Sequence, residues 1–207
     1  PEHLSVTPPD ASPENIEHLY VKVASDLMAK PNALCDIIET QRPQSAIIFC
    51  NTKSDTQIVE AVMRRRGFDA RRLNSDLSQS QRTRVMKKIK QKELQFLVAT
   101  DVAARGLDIE QIDLVVNFAI HDQTEPYIHR SGRTGRAGRK GKVVSLIGAK
   151  DFGAFHHLKK RVDIDFQEIE IPNDSEVCDA RLAHLYEVLR GENLELVERD
   201  LVLAKKF

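Results

Sequence analysis

The segment His129–Lys142 combines two residue types that favour the binding of a phosphate-rich partner. It holds six Lys or Arg residues and four of the chain's nine glycines within fourteen residues, and it contains no acid. The arginine side chain stays charged at neutral pH, and its planar fork matches phosphate oxygens. Glycine lets the backbone turn sharply and lets a ligand approach closely. The composition therefore predicts a polyanion site, although a disordered arginine–glycine segment or a solvated loop would look similar.

Two polar segments earlier in the chain could also contact phosphates. Ile47–Lys53 is an apolar run that ends in the small polar residues Asn51 and Thr52. In Leu73–Arg82, Gln79 and Arg82 stand three residues apart, which places them on one face of a predicted helix. Each segment alone has a simpler interpretation, because Thr52 could cap the next helix and the other two could belong to a solvated helix start.

A further polar segment, Thr100–Asp108, follows the apolar run Phe96–Ala99. A threonine hydroxyl and the free amides of a helix start, beside the carboxyl end of a strand, suit a phosphate group. Asp108, beyond the turn at Gly106, could accept hydrogen bonds from a ribose. A structural helix cap is the alternative for Thr100.

These polar segments must be positioned by the elements between them, in which short apolar runs alternate with helical patterns. The predicted strands are His18–Val23, Ser45–Cys50, Asp69–Asn74, Gln95–Ala99, Ile112–Phe118, Lys142–Ile147 and Phe166–Glu170. The predicted helices are Lys30–Gln41, Ser54–Arg66, Ser78–Gln91, Asp101–Ala104, Glu125–Arg130 and Ala149–Arg161. The alternation predicts an α/β fold with a parallel sheet that helices cover on both faces. Ligands bind beyond the carboxyl ends of strands in such sheets, where the polar segments fall.

The chain's size and charge distribution limit the function classes. Its 207 residues suffice for one domain with a small appendage, and 41% hydrophobic residues can form a sizeable core. The formal net charge is zero, but residues 61–92 hold eleven Lys or Arg against two acids, and residues 173–207 hold eight acids against five bases. The net charge of the whole chain therefore predicts no partner. The local distribution of charge indicates a basic middle segment and an acidic C-terminal segment.

The cysteines and the apolar runs favour an intracellular protein. The three cysteines lie far apart without CxxC spacing, so we expect free buried thiols and no metal site. No apolar run approaches the ~20 residues of a membrane span, and the N-terminus does not resemble a signal peptide. We therefore expect a cytoplasmic protein with no membrane partner, and the start at Pro1 suggests a piece of a longer chain.

The pattern changes after Pro172. Apolar residues keep helical spacing on either side of Arg190–Asn193, which predicts a C-terminal α-helical hairpin. The apolar residues are Leu182, Leu185, Leu189, Leu194, Val197 and Leu201. The predicted division is a lead-in over residues 1–17, a domain over 18–172 and a helical extension over 173–207. The extension either packs back on the domain or associates with another chain.

In order and spacing, the four polar segments resemble the motifs of the second, C-terminal RecA-like domain of DEAD-box RNA helicases, in helicase superfamily 2. The resemblance covers about residues 15–172. It implies a RecA-like sheet within an ATP-dependent RNA helicase that unwinds or remodels RNA. RNA is then gripped mainly through its phosphate backbone, without sequence readout.

The resemblance also implies roles for individual residues. Arg133 and Arg136 are expected to reach the ATP γ-phosphate across the cleft to a second domain, and Asp108, beside Gly106, to contact the ribose. An arginine supplied from outside the loop that holds the phosphates accelerates phosphoryl transfer ~10³–10⁵-fold. The residues expected to contact the RNA backbone are Thr52, Gln79, Arg82 and Thr100. The residues expected to couple the two domains are Arg105 and His129.

Three segments depart from the family pattern. Asn74–Asp76 stands where the family has a His-Gly-Asp turn, Ser131 where it has a bulky apolar residue, and Ala119–Gln123 where it has an Asp-Leu-Pro run. The departure at Asn74–Asp76 affects the local turn geometry, and the departure at Ser131 affects the packing of the helix. None of them removes a charged site residue.

The chain contains neither a G-x-x-x-x-G-K-[ST] phosphate loop nor an Asp-Glu-Ala-Asp run. The resemblance therefore implies that an N-terminal RecA-like domain holds ATP and its Mg²⁺, and that this chain alone is inactive. The C-terminal extension is similar to the start of the helical extension of cold-shock-type bacterial DEAD-box proteins, which dimerise there. That similarity implies a homodimer through the C-terminal helices and a bacterial source.

Two other functions would use the same fold: a non-catalytic RNA-binding scaffold and a DNA-directed helicase. The presence of Arg133, Arg136 and Asp108 disfavours the scaffold, because gripping RNA alone does not need them. The motif match disfavours the DNA-directed enzyme.

Overall fold

The computed structural model describes residues 15–104, 112–136 and 138–204, with side chains up to residue 190. Its strands are β1 (Ile16–Lys22), β2 (Ala46–Cys50), β3 (Ala70–Leu73), β4 (Phe96–Thr100), β5 (Leu114–Asn117), β6 (Gly141–Ile147) and β7 (Phe166–Glu168). Its helices are α1 (Ala29–Gln41), α2 (Lys53–Arg65), α3 (Gln79–Lys90), α4 (Asp101–Ala104), α5 (Thr124–Ser131), α6 (Phe152–Arg161) and α7 (Asp174–Ala204), with a 3-10 turn at Ala149–Asp151. The elements of the α/β domain start and end within a few residues of the predicted positions.

All seven strands form one parallel sheet in the order β3-β4-β2-β5-β6-β1-β7. The central strand β2 is buried at every position, because helices cover both faces of the sheet. Ile48 points to a core shared with α1 and α2, whereas Ile47 and Phe49 point to a core shared with α3, α5 and α6. The predicted parallel sheet with helices on both faces is confirmed.

Local sequence signals explain where several helices begin and end. Thr52 precedes α2 in an extended conformation, and its hydroxyl accepts a hydrogen bond from the Asp55 amide at 3.0 Å. Ser78 and Gln81 form a capping box at the start of α3. Gly67, with φ +93°, follows the end of α2 in the left-handed region that glycine tolerates. These caps fix the chain at the edges of the sheet.

The predicted C-terminal hairpin is wrong, because the C-terminal part is one continuous helix, α7, of 31 residues. The segment Arg190–Asn193 contains a glycine but no proline, and a single glycine in a helix interior costs only ~1 kcal/mol relative to alanine. Good helix formers on both sides offset that cost. The helix therefore continues through the predicted turn.

The first half of α7 contacts α1 while its apolar side chains stay exposed. Val177 is buried, and ion pairs join Arg181 to Glu39 at 3.5 Å and Glu187 to Arg42 at 3.2 Å. The exposed apolar side chains are Leu182, Leu185, Tyr186, Val188 and Leu189. Packing in cis therefore engages α7 as far as Glu187, while the apolar side chains of this half stay exposed. The side chains of Leu194, Val197 and Leu201 lie outside the described residues.

The three cysteines are free, as expected, but only two of them are buried. Cys35 and Cys50 lie in the core, where burial raises the pKa of the Cys35 thiol to about 12 and also raises the pKa of Cys50. Cys178, near the start of α7, is exposed. Within the described part of the chain, no helix has the length and apolar character that crossing a membrane requires.

Candidate functional site

Three adjacent strands, β4, β2 and β5, end at the same edge of the sheet and are followed by polar side chains. Cys50 pairs with Thr100, and Phe49 pairs with Asn117, so the strand ends lie side by side. The neighbouring β2–α2, β4–α4 and β5–α5 connections therefore form one surface. The sequence analysis predicted the ligand site at this edge.

A single buried arginine, Arg130 of α5, joins these connections. Its Nε and Nη2 donate to the two carboxylate oxygens of Asp101, at 2.7 and 2.6 Å. Nη2 also donates to Asn51 Oδ1 at 2.9 Å, and Nη1 donates to Asn117 Oδ1 at 3.1 Å and to Ala119 O at 2.8 Å. The side chain is 2% exposed and all five of its N–H donors have acceptors. Arg130 thus fixes α5 against three strand ends.

Sequence reasoning did not single out Arg130. It is one of four arginines spaced by three residues, and the spacing gives no sign of which one is buried. A usable signal was present elsewhere: Asn51 and Asp101 follow apolar runs, and Asn117 interrupts one. The fully buried Asn117 requires a partner, and the first arginine of the segment donates to it and to the other two.

The arginine-bearing segment after α5 is held as a tight turn. Thr134 is fully buried, and its hydroxyl donates to Ile112 O. Arg136 Nε donates to Gly132 O at 2.6 Å, which closes the turn on itself. Gly141, at the start of β6, lies against this turn, because a Cβ there would stand 2.2 Å from the Thr134 hydroxyl oxygen. Arg133 and Arg136 are both half-buried on this turn.

The four predicted RNA contacts lie at or next to the same edge of the sheet. Thr52 is exposed and caps α2, so the capping interpretation holds without removing the side chain from the surface. Gln79, the first residue of α3, is exposed. Arg82 is half-buried, and its Nη2 donates to Ala103 O at 2.8 Å, which ties α3 to α4. Thr100 is the last residue of β4 and is half-buried.

Of the residues predicted to couple the domains or to contact the ribose, His129 is described and the others are not. The His129 side chain is 50% exposed, and its Nε2 lies 3.9 Å from a Glu125 carboxylate oxygen. Arg105, Gly106 and Asp108 lie outside the described residues. Their predicted roles stay predictions.

A second buried ion pair supports the β5–α5 connection from the other side. Lys30 Nζ, on α1, lies 2.6 Å from Asp151 Oδ2 and donates to Phe118 O at 2.7 Å. Asp151 also accepts from the amides of Ile120 and Gly148, at 3.3 and 3.0 Å. Residues 118–120 are therefore held between this pair and Arg130. Sequence reasoning missed the pair because its members are 121 residues apart.

The departures from the family pattern have local structural roles. The Asn74 side chain is buried, accepts from the Asp76 amide at 3.0 Å and donates to Thr56 Oγ1 at 3.0 Å, so an Asx turn sets the geometry there. Ser131 is buried, and its hydroxyl donates to Tyr127 O at 2.8 Å. The short side chain suits this packed position. In Ala119–Gln123, the first carbonyl accepts from Arg130.

The comparisons with known proteins agree with this geometry. The helicase conserved C-terminal domain family matches residues 29–138. The chain belongs to this family. It is 38% identical to an ATP-dependent RNA helicase, DbpA, of Bacillus subtilis, over 86% of this chain and 37% of that protein. It is 33% identical to the DEAD-box ATP-dependent RNA helicase CshA of Geobacillus kaustophilus, over 96% of this chain and 43% of that protein.

Solved structures of DEAD-box proteins have the same fold as this chain. A crystal structure of a DEAD box protein from the hyperthermophile Methanococcus jannaschii superimposes with a TM-score of 0.69 and 36% identity, over 75% of this chain and 42% of that one. The expected RecA-like fold is confirmed, and the chain matches the C-terminal RecA-like domain of DEAD-box proteins. It spans about two fifths of the length of the relatives it matches.

Proposed function

We propose that this domain works as the C-terminal lobe of an ATP-dependent enzyme that unwinds or remodels RNA. The observation that carries the proposal is the fixed turn that bears Arg133 and Arg136. The Thr134 hydroxyl donates to Ile112 O just before β5, and the starts of β1 and β6 pack against the turn. Family membership and the named RNA helicase relatives support the same activity.

The two half-buried arginines fit the γ-phosphate of an ATP held by a second domain. The bound ATP and its Mg²⁺ would supply the phosphoryl group that is transferred to water. Arg133 and Arg136 stabilise the charge that develops on the γ-phosphate, and their fixed turn lowers the cost of placing them. Among the described residues, no group of three His, Cys, Asp or Glu side chains could hold a metal ion. We assign Mg²⁺ to an N-terminal RecA-like domain.

The RNA backbone runs along the edge that carries the exposed and half-buried polar residues. Thr52 and Thr100 offer hydroxyl groups, while Gln79 and Arg82 offer an amide and a guanidinium from the first turn of α3. Hydroxyl, amide and guanidinium donors hold phosphates without reading bases. The grip is therefore independent of RNA sequence.

The remaining assignments follow from the same proposal. Asp108, beside Gly106, contacts the ribose, and Arg105 and His129 couple the domain to its N-terminal partner. The exposed leucines of α7 form a contact between two copies of the chain, and the protein acts in the cytoplasm.

The proposal is tested on the protein that contains both RecA-like domains. Arg136→Ala should lower kcat for RNA-stimulated ATP hydrolysis by ~10²-fold or more, and Arg133→Ala should act similarly, while RNA affinity without nucleotide stays the same. Arg139→Ala is the matched control, because Arg139 is exposed three residues further on. A normal kcat in both variants would show that the two arginines are structural.

The 207-residue chain alone provides a second test. It should hydrolyse no ATP above a buffer blank, with or without RNA, because it contains no phosphate loop. Turnover by the purified chain would contradict the division of the active site between two domains.

A further inference from the structure

Helix α3 differs from the other helices that flank the sheet, because it is basic and none of its residues is fully buried. It contains no acid between Gln79 and Lys90. Its basic residues are Arg82, Arg84, Lys87, Lys88 and Lys90. A helix of this composition gains little from burial and presents most of its charge to a partner.

The packing of α3 separates these charges into two faces. Val85, Met86 and Ile89 contact the apolar core on the sheet. Helical spacing then places Arg84 and Lys87 on the opposite side, with Lys88 next to them. Arg84 and Lys87 are exposed, and Lys88 is half-buried. We call Arg84, Lys87 and Lys88 the basic face of α3.

Nothing in the described part of the chain neutralises this face. Its three side chains form no ion pair and no side-chain hydrogen bond with other described residues. The acids of the surrounding basic segment are engaged elsewhere: Asp69 lies 3.6 Å from Arg71, and Asp76 lies 2.6 Å from Lys53. The positive charge is therefore available to a ligand.

The face does not stabilise the domain by itself. Arg84 stands three residues before Lys87 and four before Lys88, and like charges at these spacings destabilise a helix by about 0.2–0.5 kcal/mol per pair. Lysines in the last turn gain from the helix dipole, but Arg84 lies one turn earlier and does not. A bound polyanion would remove the repulsion.

We propose that the basic face of α3 binds the phosphate backbone of RNA that continues beyond the strand held by Gln79 and Arg82. The inference rests on the proposed function, because those two residues begin the same helix. Lys88 lies nine residues after Gln79, which is ~13 Å along the helix axis. The face therefore extends the RNA surface instead of duplicating the contacts at the sheet edge.

The chemistry of the face favours RNA over an acidic protein. No large apolar side chain is exposed on α3, and its exposed side chains outside the basic face are all polar or basic: Gln79, Ser80, Gln81, Thr83 and Lys90. Protein interfaces depend on buried aromatic and apolar anchors, which are missing here. Lysine and arginine contacts to phosphates need no such anchors and do not depend on base sequence.

The test compares two lengths of single-stranded RNA, about 6 and about 20 nucleotides, which bracket the span of one binding site. The triple variant Arg84→Gln, Lys87→Gln and Lys88→Gln is measured against Arg64→Gln with Arg65→Gln, a matched pair exposed on α2 at the other face of the sheet. Fluorescence anisotropy of labelled RNA across a salt series gives the affinity and its salt dependence.

For the long RNA, loss of the face should reduce the slope of log K against log salt by about 2, because each lost phosphate contact contributes about 0.7 on a single strand. The short RNA should bind the triple variant as tightly as the parent chain, and the α2 control should match the parent on both RNAs. The single variant Lys87→Gln should reduce the slope for the long RNA by about 0.7.

Three results would overturn the proposal. An unchanged slope for the long RNA would leave the face as solvated surface, and an equal loss on both lengths would place it within the short contact. Polyglutamate binding that disappears in the triple variant, with an unchanged RNA slope, would assign the face to an acidic protein. Arg82→Ala tests the proposed function separately: if both RNAs bind it normally, that function fails whatever the triple variant does.

Discussion

Arg130 and Arg84 show the same residue type in opposite surroundings. Arg130 is 2% exposed and donates five hydrogen bonds to the ends of three strands and the β5–α5 connection. Arg84 is exposed on α3 and has no ion pair or side-chain hydrogen bond among the described residues. One arginine organises the protein, and the other is available to bind something outside it.

The difference teaches that charge alone does not identify a binding arginine. A guanidinium can be buried only when its donors are satisfied, because an unpaired buried charge is very costly. Arg130 meets that condition and has no donor left for a ligand. Arg133 and Arg136, half-buried on the turn that Arg130 positions, lie between the two extremes.

The largest expected effect is on Arg130. Arg130→Ala should reduce the free energy of unfolding by about 3 kcal/mol, because it leaves Asp101 and three other acceptors without their donor. Urea denaturation of the chain measures the loss. Arg84→Ala is the control and should change stability by under about 0.5 kcal/mol. If both substitutions lowered the free energy of unfolding equally, Arg130 would not be the structural arginine and Arg84 the free one.

The ion pairs Lys30–Asp151 and Lys53–Asp76 extend the comparison of buried and exposed charges to two pairs with the same separation. Both have a nitrogen–oxygen distance of 2.6 Å, but the first pair is 18% and 10% exposed and the second 53% and 47%. A double-mutant cycle with Lys30→Met and Asp151→Asn should give a coupling energy of about 2 kcal/mol. The same cycle at the exposed pair should give under about 0.5 kcal/mol. Similar coupling energies would show that burial is not the deciding factor.

A buried histidine adds a pH dependence. His18 is buried, its Nδ1 is 2.7 Å from the Tyr127 hydroxyl, and burial lowers its pKa from 6.5 to about 4. The folded chain therefore holds His18 neutral, while the unfolded chain takes up a proton below pH 6.5. The stability from this site is complete above pH 6.5 and is lost as the pH falls toward 4.

Between pH 7 and pH 5 this site should reduce the free energy of unfolding by about 2 kcal/mol. Denaturation curves at several pH values measure it. In His18→Gln the corresponding part of the pH dependence should disappear, whereas His129→Gln, at an exposed position, should keep it. An unchanged pH profile in His18→Gln would contradict the assignment.

The smallest expected effect on stability is at α7. Leu185 and Leu189 are 54% and 45% exposed, so replacing both with Glu should change the free energy of unfolding by under about 0.5 kcal/mol. If these leucines join two copies of the chain, sedimentation should show concentration-dependent dimers that the double variant abolishes. A monomer at high micromolar concentration would contradict self-association of this chain.

The sheet could be predicted because its central strands are short apolar runs between turn signals, as Ala46–Cys50 illustrates. The rule that parallel strands end together placed the polar side chains after β4, β2 and β5 at one edge of the sheet, but it did not place the turn of Arg133 and Arg136, which lies at the starts of β5 and β6. The role of Arg130 could not be predicted, since it depends on Asp101 and Asn51, which only the fold brings near. The hairpin prediction failed because one glycine was given more weight than the helix formers beside it.

The cysteines have a practical consequence for measuring motion. Maleimide dyes react with thiolates, and burial withholds Cys35 and Cys50 from reaction both sterically and through their raised pKa values. Cys178 is exposed at the start of α7. The 207-residue chain therefore accepts one fluorophore at one known place without any cysteine being removed. Energy transfer from that dye to a labelled RNA would report where α7 lies relative to the bound strand.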